Sequence, residues 1–93
     1  MKAVWNGVIV AESDETLVVE GNHYFPPSSL HREYFRRSAT TTTCSWKGTA
    51  NYLTIIVRDS ENRDAAWYYP SPSAAAEKIK DHVAFWQGVD IVT

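Results

Sequence analysis

The sequence predicts an α+β fold dominated by β-strands, in which a mainly antiparallel sheet curls or forms a partly open barrel. Short runs of β-branched and aromatic residues, separated by polar turn residues, fill the first two thirds of the chain. One alanine-rich stretch after Pro70 predicts a single short helix at about 72–81. With 93 residues, the chain is expected to form one domain spanning 1–93.

The first strands are predicted around Asn6-Gly7, which stands between two apolar runs. This dipeptide tolerates the positive φ angles of a tight hairpin turn. A further run at 16–20 completes a predicted meander of three short strands. Residues 23–25 favour a fourth strand that ends at Pro26-Pro27, because proline donates no ladder hydrogen bond.

The central strands are predicted from alternation. Four consecutive threonines at 40–43 favour an extended chain. Residues 51–58 form the clearest strand, with one apolar face made by Leu53, Ile55 and Val57. After a polar break, residues 65–69 are expected to pair with it as an antiparallel hairpin, which brings their aromatic side chains together. In that pairing Trp67 and Tyr69 share one face of the sheet.

The helix prediction begins at Ser71 as N-cap, with Pro72 in the first helical position. Its end has two interpretations. The helical spacing continues to a cap at Gly88, or the helix stops near Asp81 and residues 83–86 and 89–92 are strands. The β-branched and aromatic content of the last segment favours the strands.

Composition narrows the classes of partner. A net charge of −2 and a pI near 5.8 argue against a nucleic-acid partner. The one basic cluster, Arg32, Arg36 and Arg37, is interpreted as a solvated loop in preference to an anion site. A single cysteine and the lack of a signal peptide or apolar span predict a reduced, cytoplasmic protein without a membrane partner. A homodimer through exposed edge strands is compatible with either function class below.

Two segments, 44–52 and 66–70, carry the side chains best suited to ligand binding. Aromatic rings there stand beside a lysine, and such a pocket suits a planar or anionic small molecule. The predicted ligand-binding residues are Trp46, Lys47, Tyr52, Trp67 and Tyr69, with the Lys47 ammonium at the rim. A plain hydrophobic core is the alternative interpretation of the four aromatic residues. Four other aromatic residues, Trp5, Tyr68, Phe85 and Trp86, are assigned to the core.

The alternative is an enzyme with Cys44 or Lys47 as nucleophile, assisted by Tyr52 or His31. A lone cysteine is more often a small buried apolar residue, which weighs against this alternative. The histidines and the cysteine show no metal-ligand spacing, so no metal and no cofactor are predicted.

Four motifs resemble the family known as domain of unknown function 427, which is sometimes labelled nucleotidyltransferase-like. They are Asn6-Gly7, Tyr24-Phe25-Pro26, TCSWKGTANY at 43–52 and AAWYYP at 65–70. The resemblance runs nearly end to end and implies a β-dominated fold. Nucleotidyl transfer itself finds little support, because no Asp-x-Asp or Asp-x-Glu pair stands near a Gly-Ser turn and the chain has no Gly-rich phosphate loop.

The chain departs from the family pattern on both sides of the cysteine. Ser45 stands where family members commonly have proline, and Thr43 where some have histidine. Without that histidine, a base for Cys44 has to come from a residue distant in sequence.

Overall fold

The computed structural model describes all residues, 1–93, as antiparallel sheets joined by short turns. The strands are β1 (Lys2–Trp5), β2 (Val8–Glu12), β3 (Leu17–Val19), β4 (Asn22–Tyr24), β5 (Phe35–Cys44), β6 (Gly48–Val57), β7 (Ser60–Tyr68), β8 (Val83–Phe85) and β9 (Asp90–Val92). They form a main sheet in the order β5-β6-β7-β8, a second sheet β2-β1-β9 and a small sheet β3-β4. The predicted β-dominated class is confirmed, and the sheets do not close into a barrel.

Helical structure is confined to three 3₁₀ segments: Pro27–Ser29, Arg32–Tyr34 and Ala74–Ile79. None of them has the length and apolar character that crossing a bilayer requires.

The predicted hairpins are present in both larger sheets. Asn6 and Gly7 adopt φ angles of 53° and 75° at the turn between β1 and β2. Strands β6 and β7 pair so that Tyr52 lies opposite Trp67. Register shifts interrupt the β5–β6 and β6–β7 pairings, and such irregularities increase the twist of a sheet.

The predicted three-stranded meander does not form, because β3 pairs with β4 instead of β2. The free edge of β2 is occupied by the loop before β5: Ala11 bridges to Leu30, and the His31 amide donates to the Val10 carbonyl at 2.8 Å. With that edge taken, the segment after β2 pairs locally across a second turn, at Glu20-Gly21, where both φ angles are positive.

The alanine-rich segment is shorter and tighter than the predicted helix at about 72–81. It is the 3₁₀ segment Ala74–Ile79, preceded by Ser73 and broken at Ala76, where φ is −116° and ψ is 16°. Ala76 and Ile79, three residues apart, are both buried on one side, which suits a three-residue repeat.

The strand interpretation of the C-terminal residues is confirmed. The chain leaves the 3₁₀ segment at Lys80, and Val83 begins β8. However, β8 pairs with β7, and β9 with β1, so the final strands belong to different sheets.

Two apolar clusters cover opposite faces of the main sheet. The first lies between the main sheet and β2-β1-β9, and it includes Leu53, Ile55 and Val57 as the alternation predicts. The second lies beneath β3-β4 and the Ala74–Ile79 segment; its members include Tyr69, with Trp67 packed against it. We call these the first face and the second face of the main sheet.

Candidate functional site

The predicted ligand-binding residues form two separate groups on the second face. In one group the rings of Tyr52 and Trp67 lie with centroids 6.4 Å apart. Trp86 joins them at 6.3 Å from Tyr52 and 6.0 Å from Trp67. The sequence predicted Trp86 to be a core residue, but 47% of its surface is exposed, so that prediction is wrong.

Hydrogen bonds hold these rings in place. The Trp67 indole N–H donates to the Tyr24 hydroxyl at 3.2 Å, and the Trp86 indole N–H donates to the Asp64 carbonyl. The Tyr52 hydroxyl lies 3.1 Å from that of Thr42. The polar tips of these aromatic residues are therefore already partnered within the protein.

The second group surrounds Lys47. Its Nζ lies 5.3 Å from the ring centroid of Trp46 and 5.7 Å from that of Tyr69, within cation–π range. It also forms an ion pair with Glu20, which sits in the turn between β3 and β4. Lys47 is only 7% exposed, so its ammonium is buried and paired where the sequence predicted a charge at a pocket rim.

The ion pair controls the protonation of both partners. The hydrogen bond from Lys47 lowers the pKa of Glu20. Burial acts to lower the pKa of Lys47. The hydrogen bond to Glu20, together with the nearby hydroxyls of Tyr24 and Tyr69, outweighs burial and raises this pKa above its ordinary value. Lys47 is therefore an ammonium at neutral pH, and a nucleophilic amine would require the opposite shift.

The residues of the enzymatic alternative are not assembled around Cys44. Cys44 ends β5 half-buried and packs against the second face. His31 Nδ1 bonds to the Ile9 carbonyl at 2.9 Å. The other histidines, His23 and His82, bond to Thr16 and Lys80. No histidine hydrogen-bonds to Cys44, and no group of three or more His, Cys, Asp or Glu side chains is placed to hold a metal ion.

The predicted site residues enclose no common cavity. Of the five, only Trp46 lines one, a groove of about 250 Å³ shared with Val18, Val19 and Ile79. The larger cavity, of about 430 Å³, lies on the other side of the main sheet and contains none of them.

This larger cavity is built on the first face from every strand of the main sheet. Leu53 of β6 and Val83 of β8 are buried at its floor. Phe35 of β5 and Tyr68 of β7 contribute aromatic walls. The turns between β4 and β5 close one side with Pro27 and Leu30; the bridge from Leu30 to Ala11 holds that side against β2.

Three exposed charged side chains complete the lining: Arg32, Arg37 and Asp81. Arg32 belongs to the 3₁₀ turn Arg32–Tyr34, and Arg37 lies opposite Leu53 in the β5–β6 register. Arg37 therefore shares the face of the apolar floor.

Neither arginine has a partner within the protein. The ion pairs of the chain are Lys2–Glu12, Arg36–Glu61 and Lys47–Glu20, and no hydrogen bond engages the guanidinium of Arg32 or Arg37. Arg36 lies between them in sequence but contacts Glu61 at 2.9 Å. The basic cluster is thus divided, with one paired arginine and two unpaired ones at a single cavity.

Sequence reasoning missed this cavity, although one signal for it was present. In an extended strand, alternate side chains share a face, so Phe35 and Arg37 point together and Arg36 points away. A charge beside an aromatic residue on the apolar face marks a position where that face meets solvent or a ligand. The turn residues and Asp81 carried no such signal.

No curated protein matches this chain. A family model does: NTP_transf_9, described as Domain of unknown function (DUF427), matches residues 1–93. Because this match covers the whole chain, the protein belongs to the DUF427 family, as its motifs suggested.

Proposed function

We propose that this protein binds small organic anions with an apolar body in the cavity bordered by Arg32 and Arg37. The observation that carries the proposal is the pair of unpartnered guanidinium groups at the rim of an apolar cavity. Its volume of about 430 Å³ falls within the range of small-molecule sites.

The apolar lining supports binding of the ligand body. Leu53 and Val83 offer a buried floor, while Phe35 and Tyr68 offer ring faces. Removing apolar surface from water contributes roughly 25 cal/mol per Å², so this contact supplies most of the expected affinity.

The arginines support selection of the charge. A guanidinium presents planar, paired N–H donors that match a carboxylate or a phosphate. Both side chains are exposed, so each contributes only about 0.2–1 kcal/mol after screening by water. They orient the anionic group and discriminate against neutral ligands.

This proposal keeps the ligand class expected from the sequence and moves its site. Lys47 already has Glu20 as its counter-ion, whereas Arg32 and Arg37 have none. The enzymatic alternative draws no comparable support, because Cys44 has no hydrogen-bonded base and Lys47 is held protonated.

An NMR titration of backbone amide shifts tests the proposal with octanoate and its uncharged analogue octanol. We expect octanoate to perturb amides around Leu53, Tyr68 and Val83. Arg32→Gln and Arg37→Gln should each weaken octanoate binding about 1.4- to five-fold, and leave octanol binding unchanged.

Arg36→Gln is the matched control, since it removes the same charge from the neighbouring position outside the cavity. If Arg36→Gln weakens octanoate binding equally, the loss reflects the net charge of the protein and not contact with Arg32 or Arg37, which would contradict their proposed role. Octanoate shifts confined to residues outside the cavity would contradict the proposal.

A further inference from the structure

The cavity carries opposite charges at opposite edges of the main sheet. Arg37 lies on β5, and Asp81 lies two residues before β8. In the order β5-β6-β7-β8 these strands are the outermost, separated by three strand intervals. At about 4.8 Å per interval, roughly 14 Å separate the two strands.

The charged groups at the two ends of the cavity, Arg37 and Asp81, form no ion pair within the protein. The Asp81 carboxylate forms no ion pair with Arg32, Arg37 or any other cation of the chain. Its backbone position is nevertheless defined, because the Asp81 amide donates to the Tyr69 carbonyl at 3.1 Å. Side chains of Leu53, Tyr68 and Val83 form an apolar surface between the ends.

We infer that the cavity selects dipolar ligands: molecules with an anionic group at one end, an amine at the other and an apolar spacer between them. This inference rests on the proposed function, which supplies the anion end. Asp81 adds recognition of the cation. A ligand whose charges lie too close together engages Arg37 or Asp81, but not both.

Four probes related by single changes test the inference: octanoate, octylamine, ω-aminooctanoate and the shorter γ-aminobutyrate. The wild-type protein should bind ω-aminooctanoate about 1.4- to five-fold more tightly than octanoate, since an exposed ion pair is worth that factor. Both octylamine and γ-aminobutyrate should bind more weakly than ω-aminooctanoate.

Asp81→Asn isolates the cation end. Asp81 has a φ of 61°, a conformation that asparagine also tolerates, so the variant retains the backbone. It should bind ω-aminooctanoate no better than octanoate, with octanoate affinity unchanged. Asp59→Asn is the matched control: Asp59 has a φ of 67°, is exposed and lies outside the cavity.

The outcomes separate this inference from the proposed function. Arg-dependent octanoate binding without any gain from the added amine would overturn the dipolar selection and leave anion binding standing. An amine gain that survives Asp81→Asn, or is lost equally in Asp59→Asn, would also overturn it. Octanoate binding that is absent or independent of Arg32 and Arg37 would contradict the proposed function itself.

Discussion

The two faces of the main sheet differ in how completely their polar groups are satisfied. On the second face, Lys47 is paired with Glu20, and the indole N–H of Trp67 is bonded to Tyr24. On the first face, Arg32 and Arg37 border a cavity without any partner. Aromatic and charged residues concentrated in sequence can thus satisfy one another, whereas exposed guanidinium groups beside an apolar cavity stay available to a ligand.

The largest effect is expected from shortening a buried side chain that packs on the second face. Ile79, the last residue of the 3₁₀ segment, is fully buried there against the sheet. We expect Ile79→Ala to lower the free energy of unfolding by about 2–5 kcal/mol, because it removes apolar contacts and leaves a cavity. Urea denaturation measures the change. Val18→Ala is the control, since Val18 is 57% exposed; equal losses in both would show that the second face is not a packed core.

A smaller effect is expected from the hydrogen bond beneath the aromatic rings. Trp67→Phe keeps most of the ring surface but leaves the buried Tyr24 hydroxyl without its donor. An unsatisfied buried polar group costs about 1–3 kcal/mol. Thermal unfolding of Trp67→Phe should show that loss, and adding Tyr24→Phe should restore part of it. Equal stability of Trp67→Phe and wild type would mean that this bond contributes nothing.

The Lys47–Glu20 pair predicts a weaker, pH-dependent effect, because Glu20 is half exposed and water screens the pair. The folded-state pKa of Glu20 is lowered, so its contribution is present above the ordinary carboxyl pKa and is lost as the pH falls through the folded value. The raised pKa of Lys47 acts oppositely: its contribution is present below the ordinary lysine pKa and is lost as the pH rises through the folded value.

Lys47→Met tests this linkage. Relative to wild type, its deficit in unfolding free energy should be largest near neutral pH and shrink toward acid. Asp64, whose pKa is lowered by the nearby hydroxyls of Ser38 and Thr40, stays in both proteins and cancels in the difference. A deficit that does not change between neutral and acidic pH would show that the lysine acts only through packing.

The smallest effect on stability is expected at the first face. Arg32→Gln and Arg37→Gln remove exposed, unpaired charges, so unfolding free energies should change by no more than about 0.5 kcal/mol. The same variants should weaken octanoate binding. If either one destabilises the fold as much as Trp67→Phe does, the arginine is structural and the contrast between the faces fails.

Local features of the fold were predictable, because they depend on neighbours in sequence. Asn6-Gly7 forms its turn with positive φ angles, and Leu53, Ile55 and Val57 share the apolar face that their alternation predicts. The pairing of β3 was not predictable in this way. It depends on Leu30 occupying the edge of β2, which is a contact between segments distant in sequence.

The candidate site was less predictable than the fold. The sequence marked Trp46, Lys47 and Tyr52 as conspicuous, but it did not indicate that Glu20 would neutralise the lysine from 27 positions away. Nor did it bring Arg37 and Asp81 to one cavity, since Arg37 lies on β5 and Asp81 precedes β8, at the two ends of the main sheet.

The amino-acid sequence by itself determined the β-dominated class and the principal hairpins, since turn chemistry and alternation act over a few residues. Its motifs also determined the DUF427 membership. Only the tertiary structure decided which charges are paired and where a cavity remains. The reason is physical: a charge is neutralised or left available by groups within a few ångströms in space, and here those groups come from turns and strands far apart along the chain.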